Sequence, residues 1–551
     1  MQSLIILLKK HTKLKDIQLE IPPSPDLGDY AFPCFQLAKK FKKSPAEIAT
    51  DLAKKIKPPK EIERILPNGP YLNFFLNKNT QSQKVLQRIL KEKDKYGSSS
   101  NSESFMVEFS GPNPFKAFHV GHLRNTVLGE SLVRILKFYG FKVLSVNYLN
   151  DTGTHVSKSI WGLENLNLKQ KGDPGEFLGE IYSLASKKIK TKAQEAQVQE
   201  IHKQIETKNP KYLKLWKAGI KDSLTYFNKI YKDLDVTFDK VYYDSQYINE
   251  GKAVVDRLLK KKIAKKDKGA ILVNLEKYKL NKVLVLKSDE TALYITKDLA
   301  MAMDRLNKYK INRLIYVVGS EQKLHFQQIF KILDLLKFKQ AKKCFHLSYE
   351  LVMLPEGRMA SRKGRVVTYS ELKEELMDKI QKEVNKRHSK WSKSRKQKAV
   401  DSIFSSTIRF DMLKQGPEKI ITFDPKRAMS FEGDTGPYAQ YTHARICSIL
   451  RKESPKKADL KLLTTQEESA LIQKLSTFPD TLKRAAEDYK PYLIANYILE
   501  LCHLFNEFYH KYPVLKATKN LKQARLNLIN ATKIVLKIAL NLLAIKAPEE
   551  M

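Results

Sequence analysis

The spacing of apolar and polar residues predicts a mixed helix and strand segment at the start of the chain. Ala46–Lys57 has the periodicity of an amphipathic helix, and the aromatic run Tyr71–Phe75 is typical of a strand. A Gly/Ser/Asn-rich stretch at 97–102 then breaks the pattern and predicts a linker. We therefore predict an α+β N-terminal domain over residues 1–95.

The pattern then changes to the order strand, helix, strand. Phe105–Phe109 and Lys142–Leu149 are short apolar runs, and Gly121–Phe138 between them has helical periodicity. The same order returns as a strand at Arg313–Val318, a helix at Lys323–Leu336 and a strand at His346–Met353. Alternating strands and helices favour a parallel sheet, so we predict an α/β fold with a Rossmann-type core.

About 160 residues separate the two halves of this core, which is more than an ordinary crossover connection holds. We therefore predict an inserted subdomain at about 160–285. After Ser370 the strands stop, and long amphipathic patterns that continue to Leu543 predict an all-α C-terminal domain. The predicted domains are residues 1–95, residues 101–428 with the insertion, and residues 429–551.

The composition adds a strong positive charge to this arrangement. The 551 residues include 100 Lys and Arg against 60 Asp and Glu, a net charge of +40, while 42% of the residues are hydrophobic. A folded protein this basic attracts polyanions, so nucleic acid is the leading partner class and an acidic membrane surface the second. A lysine-rich genome would give the same excess. The basic stretch 382–398, which contains Trp391, fits a solvated helix face as well as RNA contact.

Cysteine usage and hydropathy narrow the class of protein further. The four cysteines are far apart and form no C-x-x-C pair, which argues against a zinc site and against a disulfide framework. No run reaches the roughly 18 apolar residues that span a bilayer, and no cleavage site follows the short apolar stretch Leu4–Leu8. We expect a cytoplasmic protein with no membrane partner and no metal site of its own.

The segment with the most chemical information is SGPNPFKAFHVGHLR, residues 110–124, between the first core strand and the following helix. Free N–H groups and the dipole at a helix N-terminus favour an anion. His119 and His122 are three residues apart on one side of a helical turn, so both can donate to one phosphate group. Gly121 allows close approach to the backbone, and the prolines stiffen the loop that carries Lys116. This pattern predicts a nucleotide phosphate site.

The letters HVGH alone would equally fit a zinc pair or two surface histidines, but the wider string resembles the HIGH signature of class I aminoacyl-tRNA synthetases. The flanking SGPN and LR resemble the arginyl-tRNA synthetase form in particular. Gly28–Pro33, Leu149–Thr154 and the segment 433–445 resemble other parts of that family, the last of them the opening of its anticodon-binding domain. The resemblance covers essentially the whole chain.

The second class I signature, KMSKS, is expected where GRMASRKG stands at 357–364. Its second lysine is absent, as in many members of the family, and the resemblance implies that Lys116 supplies that charge. A basic solvated loop would also fit this composition. The resemblance implies Lys116, His119, His122, Arg362 and Lys363 as catalytic residues, and His119, Gly121, His122, Met359 and Ser361 as ATP-binding residues.

An arginine pocket requires carboxylates, since guanidinium offers five donors and no acceptor. Tyr294 and Asp298 are four residues apart and share a face if they are helical, although Asp298 taken alone would more often be a helix cap. One departure from the family is Asp289-Glu290-Thr291, where Asp-Gly-Thr is usual, so the local turn is expected to differ. The resemblance implies an arginine pocket of Glu108, Ser110, Asn113, Tyr294, Asp298 and Gln322.

The N-terminal string NGPYLN resembles the family segment that contacts the tRNA D-loop, which implies Asn68, Tyr71 and Asn73 as tRNA-binding residues. An exposed aromatic residue between two amides can stack on an unpaired base. A strand that packs Tyr71 in the core fits the same string equally well.

The resemblance implies an arginine–tRNA ligase that activates L-arginine with ATP and Mg²⁺ and transfers it to tRNA(Arg), as a cytoplasmic monomer. Activation is expected to require bound tRNA. One alternative is another class I synthetase, such as a cysteinyl or glutamyl enzyme, which the missing zinc-type cysteines and the acidic pair Glu108 and Asp298 disfavour. The other alternative is an inactive paralogue that binds RNA, which the altered KMSKS segment suggests.

Overall fold

The structure is a computed structural model that describes residues 2–14, 16–20, 22–59, 62–355 and 367–551. Its internal contacts divide the chain into two compact units. One unit comprises Met1–Tyr96, Ile446–Thr477 and Leu501–Val535, and the other comprises Gly97–Arg445, Phe478–Glu500 and Leu536–Met551.

The N-terminal part of the first unit is a three-stranded antiparallel sheet with helices packed on it. Helix α3 begins at a capping box, in which the Ser44 hydroxyl accepts from the Glu47 N–H, and it buries Ile48 and Leu52. The predicted α+β character of this segment is confirmed. The strands, in the order β1-β3-β2, are β1 (Tyr30–Pro33), β2 (Ile62–Asn68) and β3 (Tyr71–Leu76), and the helices are α1 (Gln2–Thr12), α2 (Ala38–Phe41), α3 (Pro45–Lys55) and α4 (Lys78–Glu92).

The second unit is built on a five-stranded parallel sheet with the strand order β11-β10-β4-β5-β6. Its strands are β4 (Ser104–Glu108), β5 (Lys142–Leu149), β6 (Lys240–Tyr243), β10 (Arg313–Gly319) and β11 (Cys344–Tyr349). Helix α5 (Val120–Phe138) connects β4 to β5, and α12 (Lys323–Leu335) connects β10 to β11. The strand order reverses between β4 and β10, which is where such sheets bind ligands. The predicted Rossmann-type α/β core is confirmed.

The long segment between β5 and β10 contains one strand of the main sheet. Strand β6 pairs in parallel with β5, so the stretch predicted as an insertion also contributes to the core. Its four residues, Lys-Val-Tyr-Tyr, are too short and too polar to stand out in the sequence. The other elements here are α6 (Thr154–Asn165), α7 (Pro174–Lys188), α8 (Lys192–Glu206), α9 (Pro210–Asp233), α10 (Ile248–Lys260), an antiparallel sheet of β7 (Ala264–Asp267), β8 (Ala270–Asn274) and β9 (Lys282–Leu286), and α11 (Tyr294–Lys308).

The end of the core differs from its prediction in one respect. The predicted strand His346–Met353 is divided into β11 and a short β12 (Val352–Met353), which pairs with β13 (Ile421–Thr422). The expectation that no strand follows Ser370 is therefore wrong, because β13 lies after it. A strand of two residues is too short to show a periodic pattern in the sequence. The remaining elements are the helices α13 (Tyr369–Arg387), α14 (Lys393–Leu413), α15 (Pro425–Ala428), α16 (Gly436–Lys452), α17 (Gln466–Ser476), α18 (Phe478–Glu487), α19 (Tyr492–Lys511) and α20 (Lys519–Leu542).

The helical C-terminal region is confirmed by these elements. Within the described ranges, no helix is long and apolar enough to cross a membrane. All four cysteines are buried and form no disulfide, as their spacing predicted.

The basic stretch 382–398 covers the end of α13 and the start of α14. The Trp391 ring stacks on His388 with 3.8 Å between ring centroids, and the Arg395 guanidinium lies 4.1 Å from the Trp391 ring centroid. Lys382 pairs with Asp378 one turn earlier at 2.7 Å. Because the tryptophan is already stacked within the protein, these contacts favour the solvated-helix interpretation of the stretch.

Candidate active site

A cavity of about 520 Å³ opens at the carboxyl ends of β4, β5 and β10. It lies where the strand order reverses, as the Rossmann-type topology requires. Nine residues predicted for the ATP and arginine sites line it together, although they come from segments up to 214 positions apart. These residues are Glu108, Ser110, Asn113, His119, Gly121, His122, Tyr294, Asp298 and Gln322.

The loop from β4 to α5 is held by side chains of its neighbours. Ser110 has a φ of 74°, and its N–H donates to Asn125 Oδ1 at 2.6 Å. The Gly111 N–H donates to Asn147 Oδ1 at 3.0 Å, and the Ser110 and Tyr231 hydroxyl oxygens lie 2.9 Å apart. These contacts fix the loop before any ligand binds, which lowers the entropic cost of binding.

His119 and His122 form the start of α5. The His119 ring is the N-cap, where its Nδ1 accepts from the Gly121 N–H at 3.1 Å, and His122 Nδ1 accepts from the His119 N–H at 3.3 Å. The two rings stack with centroids 3.7 Å apart, which confirms that they share one side of the helix. Burial and the nearby Lys116 lower the pKa of His119 to about 4, and burial also lowers the pKa of His122. Both rings are therefore neutral at pH 7, with their proton on Nε2.

The two predicted carboxylates of the arginine pocket have different partners. Glu108 is buried at the end of β4 and pairs with the guanidinium of Arg305 from α11. Burial raises the pKa of Glu108, and the positive charge of Arg305 opposes this shift. Asp298 Oδ2 lies 2.7 Å from Nε2 of His325 on α12.

Helix α11 carries two of the residues predicted for the arginine pocket. Tyr294 is its first residue and Asp298 lies one turn later, so the predicted shared face is confirmed. The N-cap is Leu293, so Asp298 is not a helix cap. Gln322 lies at the N-cap of α12 and is exposed.

Comparison with known protein families shows which family this chain belongs to. The chain matches the models for the arginyl tRNA synthetase N terminal domain over residues 2–76, the class I (R) tRNA synthetase catalytic domain over 85–423, and the DALR anticodon binding domain over 439–551. The chain belongs to the arginyl-tRNA synthetase family.

Relatives in the arginyl-tRNA synthetase family are similar along nearly their whole length. The arginine–tRNA ligase of Clostridioides difficile is 36% identical over 545 residues, covering 97% of this chain and 95% of that protein. The arginine–tRNA ligase of Clostridium perfringens is 38% identical over 561 residues, covering 99% and 98%. The solved Thermus thermophilus arginyl-tRNA synthetase is 27% identical with a TM-score of 0.81, covering 100% of this chain and 99% of that chain.

The charged residues expected around the triphosphate in this family are only partly described. Lys116 lies on the loop before α5 but does not line the cavity, and its ammonium lies 4.8 Å from the Tyr182 ring centroid. The four residues predicted from the second signature, Met359, Ser361, Arg362 and Lys363, lie outside the described residues. Their roles stay predictions.

The zinc-pair interpretation of the two histidines gains no support. Across the residues that the structure describes, no three His, Cys, Asp or Glu side chains are grouped so that they could hold a metal ion. Both Nδ1 atoms of the pair are also occupied as acceptors of backbone N–H groups. A phosphate-binding interpretation, which needs only the Nε2–H donors, fits these contacts better.

A buried cluster behind the cavity was not found from the sequence. The Lys297 ammonium pairs with the Asp244 carboxylate, which is 0% exposed. The Tyr148 hydroxyl donates to Asp244 Oδ1 at 2.6 Å, and the Thr152 hydroxyl donates to Oδ2 at 2.6 Å. Thr152 lies within the family-like segment 149–154, but nothing in the sequence connects it to Asp244, which is 92 positions away.

One departure from the family pattern, Asp289-Glu290-Thr291, has a visible consequence in local structure. Glu290 adopts a φ of 62°, the left-handed conformation that glycine takes more easily, so the turn at 289–291 carries strain. Asp289 Oδ1 accepts from the Thr291 N–H at 3.0 Å and closes this turn.

The predicted tRNA-binding residues lie at the turn between β2 and β3. Asn68 is exposed, and the ring of half-buried Tyr71 contacts Phe35 edge-on, with centroids 5.7 Å apart. Asn73 is buried within β3, so its side chain does not face solvent. The structure therefore leaves Asn68 and Tyr71 as the predicted residues that a ligand could reach directly.

Proposed function

We propose that this chain is an arginine–tRNA ligase, which forms arginyl-adenylate from L-arginine and ATP and transfers the arginyl group to the 3′ end of tRNA(Arg). One observation carries the proposal. The phosphate-binding end of α5 and the carboxylates of Glu108 and Asp298 line the same cavity, so a nucleotide and a cationic amino acid can meet there.

In the first step, a carboxylate oxygen of arginine attacks the α-phosphorus of ATP, the bond to the bridging oxygen breaks, and diphosphate leaves. The Nε2–H groups of His119 and His122 donate to the phosphate oxygens as their charge grows, and the positive end of the α5 dipole favours the same charge. Lys116, together with Met359, Ser361, Arg362 and Lys363, is assigned to the triphosphate. Mg²⁺ enters with ATP as part of the substrate and neutralises phosphate charge.

In the second step, a hydroxyl of the terminal ribose of tRNA attacks the carbonyl carbon of the adenylate, and AMP leaves. No side chain of the protein is needed as a covalent nucleophile. The contribution of the protein is to position both substrates and to stabilise developing charge.

The arginine guanidinium is assigned to Asp298 and Glu108, with Tyr294 covering it. Ser110, Asn113 and Gln322 supply polar groups for the amino and carboxylate ends of the substrate. These assignments are supported by the cavity that all six residues line. The oxygen atoms of their side chains can accept hydrogen bonds from the N–H groups of the arginine substrate.

The domains are proposed to divide the contacts with tRNA. Residues 1–95 contact the D-loop through Asn68 and Tyr71, with Asn73 supporting the strand from inside. Residues 101–428 hold the acceptor end, and residues 429–551 hold the anticodon. The protein is proposed to act as a cytoplasmic monomer.

An ATP–diphosphate exchange assay with each of the twenty amino acids, with and without tRNA, tests the proposal. We expect exchange with arginine alone, and only when tRNA is present. Exchange with a different amino acid would indicate another class I synthetase, and no exchange with tRNA present would indicate an inactive RNA-binding paralogue.

A further inference from the structure

The loop that carries Lys116 is anchored in the inserted helices α6 to α9, which follow β5 in the chain. Phe115, the residue before Lys116, is 0% exposed and belongs to a hydrophobic core that it shares with residues of α6, α7 and α8. Gly219 of α9 faces this ring so closely that a Cβ atom there would lie 2.2 Å from the ring atom Cζ. The Phe115 ring therefore ties the loop before α5 to the inserted helices.

The backbone at Phe115 is strained, and a side chain of α9 holds it. Its φ of 62° lies in the left-handed region, which a bulky residue rarely adopts. Ser223 is 1% exposed, and its hydroxyl oxygen accepts from the Phe115 N–H at 2.9 Å. Such strain persists only where the surrounding structure enforces the conformation, and it is concentrated at functional sites. The Ser223 hydroxyl thus helps to fix the direction in which the chain continues to Lys116.

Helix α7 packs against the same loop. Gly179 faces Ala117 so closely that a Cβ atom at Gly179 would lie 2.5 Å from the Ala117 backbone nitrogen. The Lys116 ammonium lies 4.8 Å from the ring centroid of Tyr182, three residues further along α7. Burial, and then the positive charge of Lys116, lowers the pKa of His119, so this charge acts at a residue that lines the cavity.

We propose that Ser223 is a positioning residue for Lys116, on which it acts through the backbone of Phe115. A fixed backbone before Lys116 limits the directions that its side chain can take and keeps the ammonium within reach of the triphosphate. The charge is needed there as diphosphate leaves. This inference rests on the proposed function, since it takes Lys116 to act on the triphosphate.

Two substitutions and their combination test the coupling between Ser223 and Lys116. Ser223→Ala removes the acceptor of the Phe115 N–H, and Lys116→Met removes the charge but keeps a long side chain. The double variant removes both groups. Thr225→Ala, which deletes an exposed hydroxyl group on the same helix, is the matched control.

The rate of ATP–diphosphate exchange with arginine and tRNA is measured for each variant of the full chain. We expect Ser223→Ala to lower kcat about tenfold, the size of one hydrogen bond, and Lys116→Met to lower it about 100-fold. Adding Ser223→Ala to Lys116→Met should change kcat less than about twofold, because the group that Ser223 positions is already absent. The arginine KM should stay within about twofold in Ser223→Ala, and Thr225→Ala should change neither value.

An equal fall in kcat on Ser223→Ala with and without Lys116 would overturn the proposal, because Ser223 would then act on the fold or on another group. An unchanged kcat in Ser223→Ala or in Lys116→Met would also overturn it. Thermal unfolding shows whether each variant is folded, and Ser223→Cys, which keeps the volume but only a weak acceptor, replaces Ser223→Ala if that variant is not. If the unchanged protein shows no exchange with arginine and tRNA, the proposed function fails first.

Discussion

Single residues set the protonation of the site. His119 and His122 are buried beside Lys116, which lowers the pKa of both rings. They are therefore neutral at about pH 6.5, at which an exposed histidine would be half protonated. Neutral rings whose Nδ1 atoms accept from the backbone can offer only Nε2–H to a ligand. We therefore expect the proposed phosphate site to act through oriented hydrogen bonds and the N-terminus of α5 rather than through charged imidazolium groups.

The pH dependence of the first step follows from this. With the pKa of His119 at about 4, the ring does not titrate between pH 8 and 5, so the exchange rate at saturating substrates should show no histidine transition near 6.5. The rate should fall only as the pH approaches 4. His119→Ala should lower kcat about 100-fold, as expected for one lost donor to a developing anion. A transition near 6.5 that disappears in His119→Ala would contradict this account.

Asp298 should control arginine recognition without affecting ATP. Asp298→Ala removes a carboxylate that is assigned to the substrate guanidinium, so the arginine KM should rise at least about tenfold. The ATP KM should stay within about twofold, because the histidine end of the cavity is unchanged. Unchanged arginine kinetics in steady-state exchange would remove Asp298 from the pocket.

The sequence predicted residues that line one cavity in the structure, but not the side chains that hold them in place. The motif around His119 and the spacing of Tyr294 and Asp298 are local patterns, and both were predicted. Arg305 and Glu108 are 197 positions apart, and His325 and Asp298 lie on different helices. Such pairs form through tertiary packing, and no periodic pattern in a single sequence shows which distant residues will meet.

Among the secondary-structure elements, too, those with a clear local pattern were predicted and the others were missed. The bounds of β4, α5 and β5 differ by at most one residue from their predictions, because each has a clear apolar period. Strand β6 and the β12–β13 pair were missed, since two to four residues are too few to show a period. The connection between α5 and this small pair depends on Arg124.

Arg124 joins α5 to the segments around β12 and β13. Its buried guanidinium donates to the carbonyl oxygens of Glu350, Leu351 at 3.1 Å, Gly416 at 3.4 Å, Pro417 at 3.3 Å and Lys419 at 2.9 Å. Burial lowers the pKa of Arg124 to about 10, although Tyr349 and the carboxylates of Glu350 and Glu418 oppose this shift. Arg124 thus satisfies carbonyl groups that would otherwise be buried without donors.

Replacing Arg124 should therefore cost stability. Arg124→Met should lower the free energy of unfolding by about 3 kcal/mol, because several buried carbonyl groups lose their donor. Lys137→Met, at an exposed position of the same helix, should change it by less than about 0.5 kcal/mol. Urea unfolding measures both values, and equal stability of the two variants would show that Arg124 does not join these elements.

The whole molecule combines a strong positive charge with buried neutral histidines. Its excess charge is +9 in residues 1–100, +25 in 101–400 and +6 in 401–551, so it is largest around the proposed acceptor-end site. Charge of this kind increases the rate and affinity of binding to a polyanion such as tRNA, and it does so in a salt-dependent way.

His155 should make the protein sensitive to mild acid. Burial lowers its pKa to about 3, and its buried Nε2 has no hydrogen-bond partner among the described residues. Between pH 6.5 and 3 the unfolded chain binds a proton here and the folded chain does not, so stability is lost as the pH falls through that window. His155→Gln cannot take up this proton, so its stability relative to the unchanged protein should increase from pH 7 to pH 5. Urea unfolding at both values checks this, and a constant difference would contradict it.

Charging of tRNA is the most direct test of the central claim, that this chain attaches arginine to tRNA(Arg). The full chain is incubated with ATP, Mg²⁺, total tRNA and labelled amino acids in turn, and the tRNAs that become charged are sequenced. The account predicts that only arginine is incorporated, and only into tRNAs with arginine anticodons. Charging with another amino acid, or no charging by a folded protein that binds tRNA, would contradict it.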